Sequence, residues 1–181
     1  MMTETTTGKS TVQVGTEFEM LAGVFLEHQD GIEKVERVGG GGDEGIDLRA
    51  EWDGVQVVVQ CKALAGKVST AAVRDLEGVM GRMIQTQSLG GDDNGVLGVL
   101  VSKSGFSSAT LAYLASPAAV FPVLALNLKD EETLTQAVAS APVTQSLFPN
   151  LIFASTIDPT TSSRILHLVN NGHILDTRLS L

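Results

Sequence analysis

Apolar and polar positions change period several times along the chain, and the changes divide it into elements. Over "TEFEMLAGVFLE", residues 16–27, Phe18, Leu21 and Phe25 recur at helical spacing with Ala22 beside them. This predicts a helix with Thr16 as its N-cap. "GIEKVERVGG" has Ile32, Val35 and Val38 as its apolar residues and reads as a short strand. Residues 45–62 read as two strands around a turn. Residues 69–85 read as a helix capped by Ser69, with Val73, Leu76, Met80, Met83 and Ile84 on one face. The unbroken apolar run "GVLGVLVS", residues 95–102, predicts a buried strand. "SGFSSATLAYLAS" follows as a helix ending before Pro117, and "VFPVLALNL" as another strand. The resulting order is helix, strand, strand, strand, helix, strand, helix, strand, a mixed α/β domain.

The ends are less periodic. The polar, Thr-rich residues 1–14 are expected to be disordered. They lack the apolar stretch of a secretory signal and the arginines of a transit peptide. Beyond a domain spanning residues 15–127, residues 128–181 are expected to form an extension packed on the core. In it "DEETLTQAVAS" reads as a helix, "LIFAS" as a strand and "TTSSRILHLVNNGHILD" as a final helix that turns at Asn171-Gly172. "GGDDNG", residues 90–95, reads as a loop. No apolar run is long enough to span a bilayer.

The pair of strands around Asp53-Gly54 carries more than a fold signal. Asp-Gly is a strong two-residue type I′ hairpin turn, and it places Trp52 opposite Val55. In that register Ile46, Leu48, Ala50 and Trp52 share a wholly apolar face with Val55, Val57, Val59 and Cys61. The other face carries Asp47, Arg49 and Glu51 with Gln56, Val58, Gln60 and Lys62. A slip of one residue would destroy this sorting. The register sets Asp47 opposite Gln60, with Lys62 two residues on. A carboxylate, an amide oxygen and an ammonium therefore converge at one end of the hairpin, next to the glycine run 39–42. Such a cluster is ordinarily a cross-strand ion pair on a solvated face. Here the strand "VQVVVQCK" is too apolar for that, and polar groups on a strand buried on both faces must be paired, coordinated or functional.

Composition narrows the partners. Among 181 residues the formal net charge is −9, and the pI is about 4.7. This disfavours a passive nucleic-acid binder with a basic stripe. An acidic metal site can still approach phosphate once its cations are bound. Most of the basic residues also precede residue 104. The single cysteine, Cys61, excludes an internal disulfide.

Other candidate motifs are weaker. Gly40, Gly42 and Gly45 formally satisfy G-x-G-x-x-G, but a strand-like alternation follows where a dinucleotide loop requires a helix. "TGKS" at 7–10 lacks the upstream glycine of a phosphate-binding loop. His28, His167 and His173 have no metal-ligand spacing. Cys61 faces the apolar side and Trp52 reads as packing. Asp43, Glu44, Arg74 and Arg82 read as solvated charges.

An aspartate followed across a hairpin by Gln/Glu-x-Lys resembles the PD-(D/E)XK nuclease signature. "GTEFE", "RVGGGGDEGIDL", "VVVQCKA", "VSTAAVRDLEGVM", "GVLVSKSGFSSATLAYLAS" and "FPVLALNL" resemble its Mrr-like branch of restriction-endonuclease relatives. The wording is also similar to fungal mitochondrial proteins required for respiratory growth. The resemblance covers residues 15 to about 127.

It implies a restriction-endonuclease-like α/β core, with a mixed central sheet flanked by helices. It also implies Mg²⁺, with Mn²⁺ as substitute, and hydrolysis of DNA phosphodiesters. Asp47 and Gln60 match the metal ligands, and Lys62 matches the lysine that orients the attacking water. Glu19 matches the first-helix glutamate that reaches the metal, although Thr16-x-x-Glu19 is equally a capping box. Ser102 falls near a strand end where relatives carry Ser or Thr. Gln60 is neutral where many relatives have Glu, so a non-catalytic nucleic-acid-binding or assembly protein on the same fold, with a role in mitochondrial genome maintenance, is the alternative. A homodimer, and an intracellular location that is mitochondrial for a fungal source and otherwise cytoplasmic, are further implications.

Overall fold

The computed structural model describes residues 9–29, 31–38, 44–52, 54–90, 95–116, 118–129, 151–157, 164–170 and 173–180. Its main body contains α1 (Thr11–Glu27), β1 (Ile32–Arg37), β2 (Leu48–Trp52), β3 (Val55–Lys62), α2 (Thr70–Gly90), β4 (Val96–Ser102), α3 (Ser108–Leu114) and β5 (Val123–Asn127). That order is the one the sequence periods predict. The strands form one mixed sheet in the order β1-β2-β3-β4-β5. β1, β2 and β3 are antiparallel neighbours, whereas β3, β4 and β5 run parallel.

Both faces of this sheet are covered, which is why β3 and β4 read as continuous apolar runs. On one face Phe18, Ala22, Phe25 and Leu26 of α1 pack against Leu48, Trp52, Val57, Val59 and Val99. On the other, Val73, Leu76 and Met80 of α2 pack against Val58, Val96 and Leu100. Gly98 lets α2 approach closely, since a Cβ there would lie 2.7 Å from Met80 Sδ.

The hairpin register is the expected one. Trp52 pairs with Val55, Ala50 with Val57 and Leu48 with Val59. Gly54 takes the positive φ of 83° that the turn requires. Asp53, the glycine run 39–42 and Asp43 lie outside the described residues.

Three expectations are corrected. The first helix begins at Thr11, not at Thr16, so residues 11–14 form its first turn instead of a disordered lead. Its N-cap is Ser10, whose hydroxyl accepts from Gln13 N–H while the Gln13 side chain accepts from Ser10 N–H. Thr16 is therefore an interior residue, and the Thr16–Glu19 capping box does not form. Ile46 packs on the α2 face with Val58 instead of joining Leu48 and Cys61. It precedes the ladder, and the positive φ values of Glu44 and Gly45 (53° and 82°) turn the chain just before it. Finally, the tail from residue 164 is not helical. β6 (Leu151–Ile157), β7 (Arg164–Asn170) and β8 (His173–Ser180) form a separate antiparallel sheet. Asn170 pairs with His173 across Asn171-Gly172, a two-residue hairpin signal of the same kind as Asp53-Gly54. The helix expected over "DEETLTQAVAS" and residues 91–94 of the expected loop lie outside the described residues.

Candidate active site

The antiparallel step from β2 to β3 and the parallel step from β3 to β4 bring three strand ends to one edge of the sheet. That edge carries the start of β2 and the carboxyl ends of β3 and β4, with Lys62 paired to Ser102. Asp47 precedes β2 by one residue. Its N–H donates to Val59 O at 2.9 Å, and its Oδ2 accepts from Cys61 N–H at 2.6 Å. The carboxylate is thus held against the backbone of β3, between Gln60 and Lys62. A short charge-assisted bond of this kind fixes its orientation.

Gln60 is 7 % exposed, although it carries two polar atoms. Its Nε2 donates to Gly45 O at 2.9 Å. Its Oε1 is buried and accepts no hydrogen bond among the described residues. Because only the nitrogen end of the amide can donate to a carbonyl, Gly45 also settles which end is which. Gly45 is suited to this by its positive φ and by its lack of a Cβ, which would sit 3.0 Å from Gln60 Nε2. A buried acceptor left without a donor costs about 1–3 kcal/mol, so its presence calls for a reason.

Lys62 is half-buried, and among the described residues no carboxylate forms a salt bridge with its ammonium. Glu19, on α1, faces the same edge but is engaged. Its Oε2 accepts from Arg37 Nε at 2.8 Å, with Arg37 at the end of β1 and Thr16 Oγ1 taking Arg37 Nη2 at 3.5 Å. Of the two uses weighed for Glu19, the helix cap gives way to a cross-element ion pair with Arg37. Cys61 senses the site. Burial, reinforced by the charges of Asp47 and Glu19, pushes its thiol far above the usual range, and Lys62 acts in the opposite sense. It is a proton-bearing core residue and not a nucleophile. Ser102 is fully buried and donates to Gly105 O at 3.0 Å, which makes it a strand-end fastening.

Arg82, Arg74 and His28 have structural partners. Arg82 pairs with Glu44 at 3.0 Å, Arg74 lies over the Tyr113 ring at 5.2 Å, and His28 Nδ1 bonds to Val24 O. Glu77, which the sequence does not single out, is buried on α2. It accepts from Tyr113 Oη at 2.7 Å and from the N–H groups of Val120 and Phe121. A charged residue on the apolar side of an amphipathic helix, beside Leu76 and Met80, is the signal that could have found it.

The donors present suit a hard divalent cation. Gln60 Oε1 and the Asp47 carboxylate are oxygens at one hairpin end, and the charges of both Asp47 and Glu19 act on the intervening Cys61. No cluster of three or more His, Cys, Asp or Glu side chains able to hold a metal occurs among the described residues. Any cation here would therefore keep several waters, as Mg²⁺ prefers. No described helix is long and apolar enough to cross a membrane.

The family model of the Mrr catalytic domain, described as a restriction endonuclease, matches residues 13–138. The chain belongs to this restriction-endonuclease family. The match spans the five-stranded sheet and its flanking helices, in keeping with the fold the resemblance implied. A mitochondrial protein of Schizosaccharomyces pombe, known only as uncharacterised, is 33% identical over 112 residues, 58% of this chain and 41% of that protein. A solved complex of EndoMS with double-stranded DNA matches with a TM-score of 0.45 and 22% identity, over 69% of this chain and 49% of that one. The chain thus spans less than half the length of either relative.

Proposed function

We propose that this restriction-endonuclease family member is a Mg²⁺-dependent DNA endonuclease whose working residues are Asp47, Gln60 and Lys62, with Glu19 in support. The observation that carries this reading is the buried Oε1 of Gln60, which accepts no hydrogen bond among the described residues and lies at the hairpin end that also carries the fixed Asp47 carboxylate and Lys62. An acceptor in that position is explained by a cation that completes it. Asp47 and Gln60 would hold the metal, with Mn²⁺ able to replace Mg²⁺. When bound, the cation supplies polarisation of the scissile phosphate and a more acidic water. Lys62 places a point charge beside that water and beside the negative charge that develops on the phosphate. Cys61 N–H holds Asp47, and the Gly45 carbonyl holds Gln60, so neither side chain must reorganise as the charge develops. Glu19 reaches the site only if Arg37 releases it, and a DNA phosphate is the natural competitor for that guanidinium. A homodimer would place one such site on each strand of a duplex. The fission-yeast relative supports a mitochondrial setting.

A second reading has one observation in its favour. With Gln60 neutral and Glu19 engaged by Arg37, Asp47 alone would offer a cation negative charge. That suits a DNA-binding or assembly protein that no longer cuts. The two separate on supercoiled plasmid with Mg²⁺ or Mn²⁺. The enzyme reading expects nicking or linearisation by the parent, lowered on the order of 10²-fold or more in Asp47→Ala and Lys62→Ala. Cutting that persists in both variants would place the activity elsewhere. A parent that binds DNA without cutting it would favour the second reading.

A further inference from the structure

We infer that the carboxyl ends of β3, β4 and β5 form a lysine rim, Lys62, Lys67, Lys103 and Lys129, that receives the phosphate backbone of duplex DNA next to Asp47 and Gln60. The inference rests on the nuclease reading and adds the surface by which an acidic protein would hold its substrate.

Charge pairing on the described surface is uneven. Lys9 pairs with Glu17 and Lys34 with Glu51, so both lysines away from this edge are neutralised. Among the described residues the rim lysines form no such salt bridge. Lys67, Lys103 and Lys129 are exposed and Lys62 is half-buried. The segments that carry them, residues 62–69, 102–108 and 127–129, contain no aspartate or glutamate. The acidic residues Asp130, Glu131 and Glu132 follow in the sequence, outside the described residues.

The rim is built, because backbone bonds tie its segments together. Lys103 N–H donates to Lys62 O at 3.2 Å, Val68 N–H to Gly105 O at 2.9 Å and Leu128 N–H to Ser102 O at 2.9 Å. Ser104 Oγ fastens the loop further by donating to Gly66 O at 2.6 Å. The cations are therefore carried along one edge on segments whose backbones are tied to one another. α2 begins at this edge, at Thr70, with no acidic residue in its first turn, so the positive end of its dipole adds to the field. Lys62 joins the rim to the site, which would place the bound backbone beside the Asp47 carboxylate. The carboxyl ends of parallel strands are also where open α/β sheets commonly bind ligands. A chain of net charge −9 would otherwise be repelled by DNA, and a local stripe of this kind overcomes that at short range, within a Debye length of about 8–10 Å.

The test measures binding of the full chain to a short labelled duplex, with Ca²⁺ in place of Mg²⁺ to suppress cutting, across about 50 to 200 mM salt. The rim variant carries Lys67→Gln, Lys103→Gln and Lys129→Gln, and the charge-matched control carries Lys9→Gln, Lys34→Gln and Arg82→Gln. Circular dichroism establishes that each is folded, which the exposure of the rim side chains favours. The expected result is a log–log salt slope reduced by roughly 0.9 for each phosphate that is no longer neutralised, thus by roughly 2–3, with at least a tenfold loss of affinity at the lowest salt, while the control keeps the parental slope. Equal binding by parent and rim variant overturns the inference. So does equal loss in the control, which would reflect net charge alone. A parent that binds anionic phosphatidylserine vesicles through the rim but not the duplex overturns it as well. Asp47→Ala separates the two readings. If it still binds through the rim but plasmid cutting is absent in the parent, the nuclease reading fails and the rim stands. If the parent cuts in an Asp47-dependent way but the rim variant binds unchanged, the rim fails alone.

Discussion

Gln60 Nε2 and the Gly45 carbonyl oxygen lie 2.9 Å apart, and this one bond leaves Gln60 Oε1 as the end of a buried amide that accepts nothing among the described residues. Position 60 is shaped for a neutral donor. In Gln60→Glu a carboxylate oxygen would face the Gly45 carbonyl with no proton between them. The expected cost is about 1–3 kcal/mol in urea denaturation at neutral pH. Isothermal titration should show Mn²⁺ bound no more tightly than in the parent, despite the added charge. Tighter binding with unchanged stability would mean that Gly45 does not select the amide.

Gly45→Ala attacks the same bond from the other side. A residue with a side chain at φ 82° costs roughly 1–2 kcal/mol, and its Cβ would press on Gln60 Nε2. Destabilisation of that size is expected by thermal unfolding. Gly15→Ala, in α1 with nothing within 4 Å of the added Cβ, should be neutral or slightly stabilising.

Arg37 holds Glu19, so Arg37→Ala distinguishes two uses of that carboxylate. If Glu19 serves the cation, the variant should bind Mn²⁺ more tightly, and Arg37→Ala with Glu19→Gln should lose the gain. If the pair only fastens β1 to α1, Mn²⁺ affinity will not change and stability will fall by at most about 1 kcal/mol, since the pair is partly exposed.

Cys61 gives a pH signature. Its thiol keeps its proton in the folded chain well above the usual range, owing to burial first and then to Asp47 and Glu19. The unfolded chain releases that proton from about pH 8.5. The stabilisation is thus complete below about pH 8.5 and is lost as pH rises above it, by about 1.4 kcal/mol per unit. Cys61→Ala should flatten that alkaline slope in urea denaturation. Asp47→Asn should speed alkylation of the sole cysteine by lowering its pKa.

Glu77 ties α2 to the α3–β5 connection through Tyr113, Val120 and Phe121. Glu77→Gln turns one acceptor into a donor facing donors, at a cost of about 1–3 kcal/mol. The hydrogen bond to Glu77 raises the Tyr113 pKa, so the variant's only tyrosine should titrate at lower pH by ultraviolet absorption.

The hairpin is legible in the sequence because two signals agree. Asp53-Gly54 sets the turn, and the sorting of Leu48, Ala50, Val57 and Val59 sets the register. Ile46 escapes this reading because alternation assumes an extended chain, and the positive φ of Gly45 breaks that assumption one residue earlier. The first helix offers two overlapping boxes, Ser10–Gln13 and Thr16–Glu19, and local chemistry alone does not rank them. The pull of Arg37 on Glu19 belongs to tertiary structure. Glu77 is hidden for a related reason, since Tyr113 lies 36 residues away. The tail from residue 164 carries the Asn-Gly turn that marks a hairpin, yet clustered Ile165, Leu166, Leu168 and Val169 imitate a helical stripe.

β3 is the middle strand of its sheet, hydrogen-bonded along both edges and apolar on both faces. Backbone amides so placed exchange with solvent only through global opening, whereas edge strands and loops open locally. Gln60 and Lys62 ride on that strand. Partial unfolding at the periphery, including loss of β1 or β5, would therefore leave their mutual geometry intact, and the chemistry should survive fluctuations that already abolish substrate grip.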